Sequence, residues 1–199
     1  MSFEIIQIAK DDASIHSWVG QVKAFRLQSL QTSPESFLST YARESAFTDD
    51  IWYERLSNSK ANTFIAVKSE RIISTIAVIG PLPYGPEELS PLGNPWATMD
   101  GDATIKIPTT LHWRINGMFT LPEARGQGTA KALIEAAKKF GTAQAEASGK
   151  DLVFSIAVDE DNVPAKALYE RCGFVTIKED LNRGDGRRVL LMKWTPRSS

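Results

Sequence analysis

The chain has 199 residues, 42% of them hydrophobic and 24% charged, a balance that excludes a disordered tract, a collagen-like repeat or a coiled-coil rod. That length predicts one globular domain with a buried core of its own. Lys and Arg number 23 against 24 Asp and Glu, a formal charge of −1, so no global positive field exists to hold nucleic acid or an acidic membrane. The single Cys172 excludes an internal disulfide and a Cys-x-x-Cys site, and His16 and His112 stand far apart, so no metal is expected.

The N-terminal stretch carries Glu4 and never builds the apolar run of a secretory signal. The longest apolar run, Ile72 to Ile79, contains Ser74 and Thr75 and meets Gly80-Pro81, too short to span a bilayer. A soluble cytoplasmic protein, monomer or homodimer, is the expectation. From Ala13 to Leu30, Ile15, Trp18, Val19, Val22 and Phe25 recur at steps of three and four and predict an amphipathic helix. Thr48 reads as an N-cap, with Asp49 and Asp50 in the first turn of a short second helix that carries Ile51, Trp52 and Leu56 on one face. Thr63 to Val67 and Ile72 to Ile79 are rich in β-branched residues and predict a hairpin around Lys68-Ser69-Glu70-Arg71.

Six of the ten prolines, with Gly85, Gly93 and Gly101, fall between Pro81 and Pro108, which excludes regular helix and central strand there. Tyr84, Leu89, Leu92 and Trp96 make this insertion an ordered but mobile flap in expectation. Leu111 to Thr120 reads as a strand interrupted by Gly117, the mark of a bulge or a close backbone approach. A glycine-rich turn leads into a helix with Ala130, Leu133, Ile134, Ala137 and Phe140 on its face, and Asp151 to Val158 reads as a buried parallel strand. Asn162 caps a helix to Cys172, with Pro164 in its first turn and Gly173 after its end. Phe174 to Lys178 and Val189 to Trp194 then close the chain as strands around Asn182-Arg183-Gly184-Asp185-Gly186.

Leu121-Pro122-Glu123-Ala124-Arg125-Gly126-Gln127-Gly128-Thr129-Ala130-Lys131 stands between a strand and a helix. The first amides of a helix lack internal partners and sit at the positive end of its dipole, so they suit phosphate. Two glycines alone equally well make a tight turn. A dinucleotide fingerprint needs a glycine where Lys131 stands, and a P-loop needs Gly-Lys-Ser/Thr at the helix start, so neither motif fits.

The turn resembles the Arg/Gln-x-x-Gly-x-Gly/Ala signature of the GNAT superfamily of N-acetyltransferases, met by Arg125, Gly128 and Ala130. Met118-Phe119-Thr120-Leu121-Pro122 resembles the end of that family's fourth strand, and Asn162 to Phe174 resembles its Asn-x-x-Ala-x-x-Leu-Tyr-x-x-x-Gly-Phe segment. Phe25-Arg26-Leu27, Ser33-Pro34-Glu35-Ser36-Phe37 and Tyr41 resemble its first-helix region, while the Pro-rich insertion departs from it. The resemblance implies a single α/β (α+β) domain over residues 1–199: a mixed, mostly antiparallel sheet with a central splayed parallel strand pair, two N-terminal helices on the acceptor side and helices on both faces.

It also implies acetyl-CoA as co-substrate, its pyrophosphate held by Arg125, Gly126, Gln127, Gly128, Thr129, Ala130 and Lys131 and its pantetheine paired with the backbone of Met118, Phe119 and Thr120. A strand splayed at Gly117 would leave amides for such pairing, and the Phe119 N–H for the thioester oxyanion. The attacking amine, with a pKa of about 10, must lose a proton, and the departing thiolate, about 8.5 for a free thiol, leaves better when protonated. Tyr169 lies seven residues after Asn162, on the same side of a helix, and the resemblance makes it the acid that protonates sulfur, with Asn162 both cap and CoA ligand. Arg114 and Asn116 occupy the strand positions where relatives carry a carboxylate or histidine base, so a water-relayed deprotonation is expected; His112, Glu44, Asp159 and Glu160 are secondary candidates. Cys172 reads as helix packing rather than as a nucleophile. The expected activity is direct acetyl transfer to a primary amine, of a small molecule in the first reading, otherwise of a peptide N-terminus or lysine; a non-catalytic acyl-CoA binding module is the alternative from another class.

Overall fold

The computed structural model describes residues 2–82, 109–179 and 186–196. Among these residues seven strands form one sheet in the order β1-β2-β3-β4-β5-β7-β6, with β1 Glu4–Gln7, β2 Ala61–Lys68, β3 Arg71–Leu82, β4 Thr110–Thr120, β5 Asp151–Asp159, β6 Val175–Glu179 and β7 Val189–Trp194. The helices are α1 Asp12–Thr32, α2 Tyr41–Ser45, α3 Asp49–Ser57, α4 Thr129–Ser148 and α5 Val163–Arg171, with single 3₁₀ turns at Pro34–Ser36 and Pro122–Ala124. β4 and β5 are parallel, in register from Thr110↔Asp151 to Ile115↔Ile156, while β1 with β2, β5 with β7 and β6 with β7 are antiparallel. This is the mixed, mostly antiparallel α/β sheet with a central parallel pair that the sequence predicts.

Two compact units make up the chain: Met1–Ala77 with Gly117–Leu133, and Val78–Asn116 with Ile134–Ser199. In the first, Asp11 starts α1 by accepting the Ser14 N–H at 2.9 Å, and Ile15, Phe25 and Leu30 bury the stripe that follows. Thr48 stands at the N-cap of α3 as expected, but its side chain makes no cap hydrogen bond, so Asp49 and Asp50 favour the helix start through the dipole alone. The hairpin turn is tighter than the four residues predicted: only Ser69 and Glu70 lie outside the strands, both with positive φ (49° and 61°), the pairing that suits the twist of a two-residue loop. Strand β1 was not expected from the sequence; it pairs from Glu4↔Val67 to Gln7↔Phe64 at the sheet edge. Strand β3 also runs further than predicted, through Gly80 and an exposed Pro81 to a buried Leu82. Beyond it the expected flap, with Tyr84, Leu89, Leu92 and Trp96, lies outside the described residues, as does most of the turn from Asn182.

In the second unit β4 and β5 are buried on both faces from Leu111↔Leu152 to Ile115↔Ile156, as parallel strands are. The apolar stripe of α4 meets them: the Phe140 ring stands 5.2 Å from Trp113, and Gly141 presses on Phe154, where an added Cβ would lie 2.5 Å from the ring. Strand β6 forms the other sheet edge, with a register shift between Thr176 and Lys178.

Candidate functional site

The turn before α4 is built by three local devices. Pro122 opens a 3₁₀ turn in which Ala124 N–H donates to Leu121 O at 2.9 Å and Arg125 N–H to Pro122 O at 3.2 Å. Gly126 and Gly128 then take φ of 73° and 82°, conformations open to glycine and costly for other residues. A Cβ at either position would meet nothing within 4 Å, so positive φ rather than lack of room requires glycine there. The first α4 amide to find a carbonyl is that of Ala132, on Gly128 O at 3.0 Å. The preceding amides of Gly128, Thr129, Ala130 and Lys131 therefore have no helical acceptor among the described residues, and they gather where the α4 dipole is positive. Side chains hold the loop from behind: Gln127 Nε2 donates to Glu123 O at 2.8 Å, Lys68 Nζ to Gln127 Oε1 at 3.2 Å, and the buried Thr129 hydroxyl to Ala124 O at 3.4 Å. Free amides at the positive end of a helix, with open space at the two glycines, are groups that suit an anion such as phosphate.

The end of β4 joins this turn within the same unit. Arg125 Nε donates to Thr120 O at 3.2 Å and its guanidinium lies 5.7 Å from the Phe119 ring. The fully buried Ser74 donates to Phe119 O at 2.8 Å and shares a 2.7 Å hydrogen bond with Thr120 Oγ1, while Leu121 N–H donates to Ile73 O at 3.0 Å. Gly117, at φ 60°, stands just past the last β4–β5 register pair, Ile115↔Ile156. Residues 118–120 and 125–131 thus belong to the same unit, tied together through Arg125.

Asn162 and Tyr169 belong to the second unit, Asn162 as the N-cap of α5 and Tyr169 within it. Asn162 Oδ1 accepts the Ala165 N–H at 3.2 Å, the N-cap the sequence predicts, with Pro164 in the first turn. At the other end Gly173 N–H donates to Glu170 O at 2.8 Å and Phe174 N–H to Tyr169 O at 3.0 Å, the Schellman pair of hydrogen bonds, with Gly173 at φ 81°. The Phe174 ring meets Tyr169 edge-on at 6.1 Å, the apolar contact that accompanies this motif. Tyr169 is 6% exposed, and burial, with the neighbouring Cys172, pushes its phenol well above its ordinary pKa. The hydroxyl therefore keeps its proton throughout the neutral range, as an acid must.

The family model described as Acetyltransferase (GNAT) family matches residues 26–174. The chain belongs to the GNAT family of acetyltransferases. It is thus an acetyl-CoA-dependent acetyltransferase, and the matched span takes in the turn, the end of β4 and α5. Its fold is shared with Arabidopsis thaliana NAA60, solved with a bisubstrate analogue, at 15% identity and a TM-score of 0.63 over 98% of both chains. The Escherichia coli ribosomal-protein-S18-alanine N-acetyltransferase is similar at 12% identity and a TM-score of 0.57, covering 100% of this chain and 96% of that one. An aminoglycoside 6′-acetyltransferase type Ii is similar at 15% identity and a TM-score of 0.61, covering 98% and 99%. No curated protein sequence matches the chain. Among the described residues no helix is long and apolar enough to cross a membrane, and no cluster of three His, Cys, Asp or Glu is placed to hold a metal ion.

In this GNAT acetyltransferase the secondary base candidates are engaged elsewhere. Glu44 is 1% exposed and accepts from Arg26 at 2.8 and 3.1 Å and from Arg55 at 2.9 Å. Burial alone would raise its pKa, but the hydrogen bond and charge of Arg26, a bond from Ser39 and the charge of Arg55 outweigh it and hold the carboxyl at about 2, too acidic to take a proton from an amine. His112 is buried within the sheet with Nε2 2.6 Å from Ser155 Oγ. Asp159 faces Arg187 at 3.5 Å and Glu160 faces Arg188 at 3.3 Å. Arg114 is buried, which lowers the pKa of its guanidinium. Sequence reasoning missed Ser74, whose hydroxyl pins the β4 end; a lone serine in an apolar strand was the signal available.

Proposed function

We propose that this GNAT enzyme transfers the acetyl group from acetyl-CoA directly to a primary amine of a small-molecule acceptor, without a covalent enzyme intermediate. The CoA diphosphate is assigned to the amides and side chains of Arg125, Gly126, Gln127, Gly128, Thr129, Ala130 and Lys131, and the pantetheine to the backbone of Met118, Phe119 and Thr120. Asn162 is assigned a hydrogen bond to CoA besides its cap. The amine nitrogen attacks the thioester carbon, the C–N bond forms, the carbon–sulfur bond breaks, and the Tyr169 hydroxyl gives its proton to sulfur. Water carries the amine proton away, since neither Arg114 nor Asn116 can accept it.

The observation that carries this reading is the set of helix-start amides from Gly128 to Lys131 without helical acceptors, opening on free space at a glycine turn. The test is release of CoA thiol from acetyl-CoA across a panel of free amines and of peptides with free N-termini or lysines. Turnover with small amines supports the proposal, turnover with peptides alone moves the acceptor class to protein substrates, and acetyl-CoA binding with no turnover on any acceptor leaves a binding module. Tyr169→Phe is expected to lower turnover by about 10²–10⁴-fold with acetyl-CoA affinity nearly unchanged.

A further inference from the structure

We infer that Lys138 of α4 is a positioning residue for Tyr169, fastening the C-terminal end of the helix that carries the phenol; the inference rests on the assignment of Tyr169 as the acid. Lys138 lies four residues after the fully buried Ile134, on the apolar stripe of its helix, and is itself only 7% exposed. A buried ammonium is costly unless its donors and charge are answered, so the groups around it fix where it can sit. Its Nζ donates to the Cys172 carbonyl, the C-cap of α5, and to Glu135 Oε1 at 2.9 Å. It also stands 4.7 Å from the centre of the Trp194 ring and 5.7 Å from that of Phe174.

These four contacts converge on one place. The last carbonyls of a helix point outward without internal partners and form the negative end of its dipole, so a cation there both bonds and attracts. Phe174, under the ammonium, is the residue whose N–H returns to Tyr169 O and whose ring packs on the Tyr169 ring. Trp194, the other aromatic partner, closes over Gly173, where an added Cβ would lie 3.4 Å from its ring. Asn162 holds the first turn of α5 from within the helix, and Lys138 holds the last turn from a neighbouring helix. The cap keeps the first turn wound, and the bond from Lys138 ties the last turn to α4, so the point from which Tyr169 presents its hydroxyl depends on that tie. Release of the C-terminal end lets the last turn fray, and a phenol displaced by about 1 Å loses much of its use as a proton donor.

The test is a double-mutant cycle in the full-length protein, read by the single-turnover rate of CoA release with the acceptor found in the panel and by acetyl-CoA binding calorimetry. Lys138→Met, which keeps the aliphatic stem, should slow the single-turnover rate about tenfold or more while acetyl-CoA affinity stays within about threefold. In a Tyr169→Phe background the same substitution should cost nothing further, because the group it positions is gone. Lys138→Arg, which retains charge and donors, should recover most of the rate. Equal losses in the two backgrounds, or a loss of affinity in place of rate, overturn the inference and leave the acid assignment intact. A fully active Tyr169→Phe overturns the acid assignment, and the inference with it. Independently of turnover, amide hydrogen exchange at Gly173 and Phe174 should quicken in Lys138→Met, and unchanged exchange there counts against the clamp. If Lys138→Met does not fold, Lys138→Gln takes its place in the same cycle.

Discussion

A carboxylate enclosed by two arginines shows how charge is handled in the first unit. Glu44 carries one negative charge against those of Arg26 and Arg55, whose guanidinium groups also lie over aromatic rings, Arg26 at 4.4 Å from Phe37 and Arg55 at 4.7 Å from Phe47. Glu44→Gln leaves both cations without their counter-charge. A loss of about 2–3 kcal/mol is expected, below the about 3–5 kcal/mol of a fully buried pair, because the arginine side chains stay 21% and 27% exposed. Since folding depresses this carboxyl from 4.5 to about 2, its contribution is complete above the unfolded value and disappears as pH falls through the folded one. Urea unfolding of wild type and Glu44→Gln should therefore differ most near neutrality and converge on acidification from about pH 4.5 towards 2. Tyr169 has the opposite sign of shift. A phenol raised above its ordinary 10.0 remains protonated as the acceptor amine deprotonates, so kcat/KM should climb with pH and show no descending limb below that value. A fall beginning between about pH 8 and 9 would point to a different acid.

At the scale of elements, the readable parts are those whose cause is local. The glycine turn, the Asn162 cap, Pro164 and Gly173 are each specified within a few residues, and the structure places them where spacing predicts. Strand β1 was not legible because four residues including a glutamate show no alternation, and its pairing partner lies about sixty residues on, at Phe64 to Val67. The roles of Glu44 and Lys138 were hidden for a related reason. A lysine on an apolar stripe reads as a long stem reaching solvent until the Cys172 carbonyl and Trp194 are seen around it. Gly141 was likewise silent in sequence. In a helix interior Gly→Ala ordinarily gains about 0.5–1 kcal/mol, but here the methyl would enter the ring of a fully buried Phe154 at 2.5 and 2.6 Å. Overcrowding should win, and Gly141→Ala is expected to destabilise by about 1–3 kcal/mol in denaturant unfolding. A more stable variant would mean that Phe154 has room to yield.

For the whole molecule, a formal charge of −1 offers no general attraction for a polyanion, so CoA recognition must be local. The family match over residues 26–174 gives the activity its class, and the proposed seat of the diphosphate rests on the amides of Gly128 to Lys131, which have no helical acceptor among the described residues. The most direct measurement is an amide nuclear magnetic resonance titration of the full-length protein with coenzyme A. The resonances of Gly126, Gly128, Thr129, Ala130 and Lys131 should move furthest and saturate together as the diphosphate takes their hydrogen bonds. Saturable coenzyme A binding that leaves those amides unmoved, or no binding at all, would contradict the account.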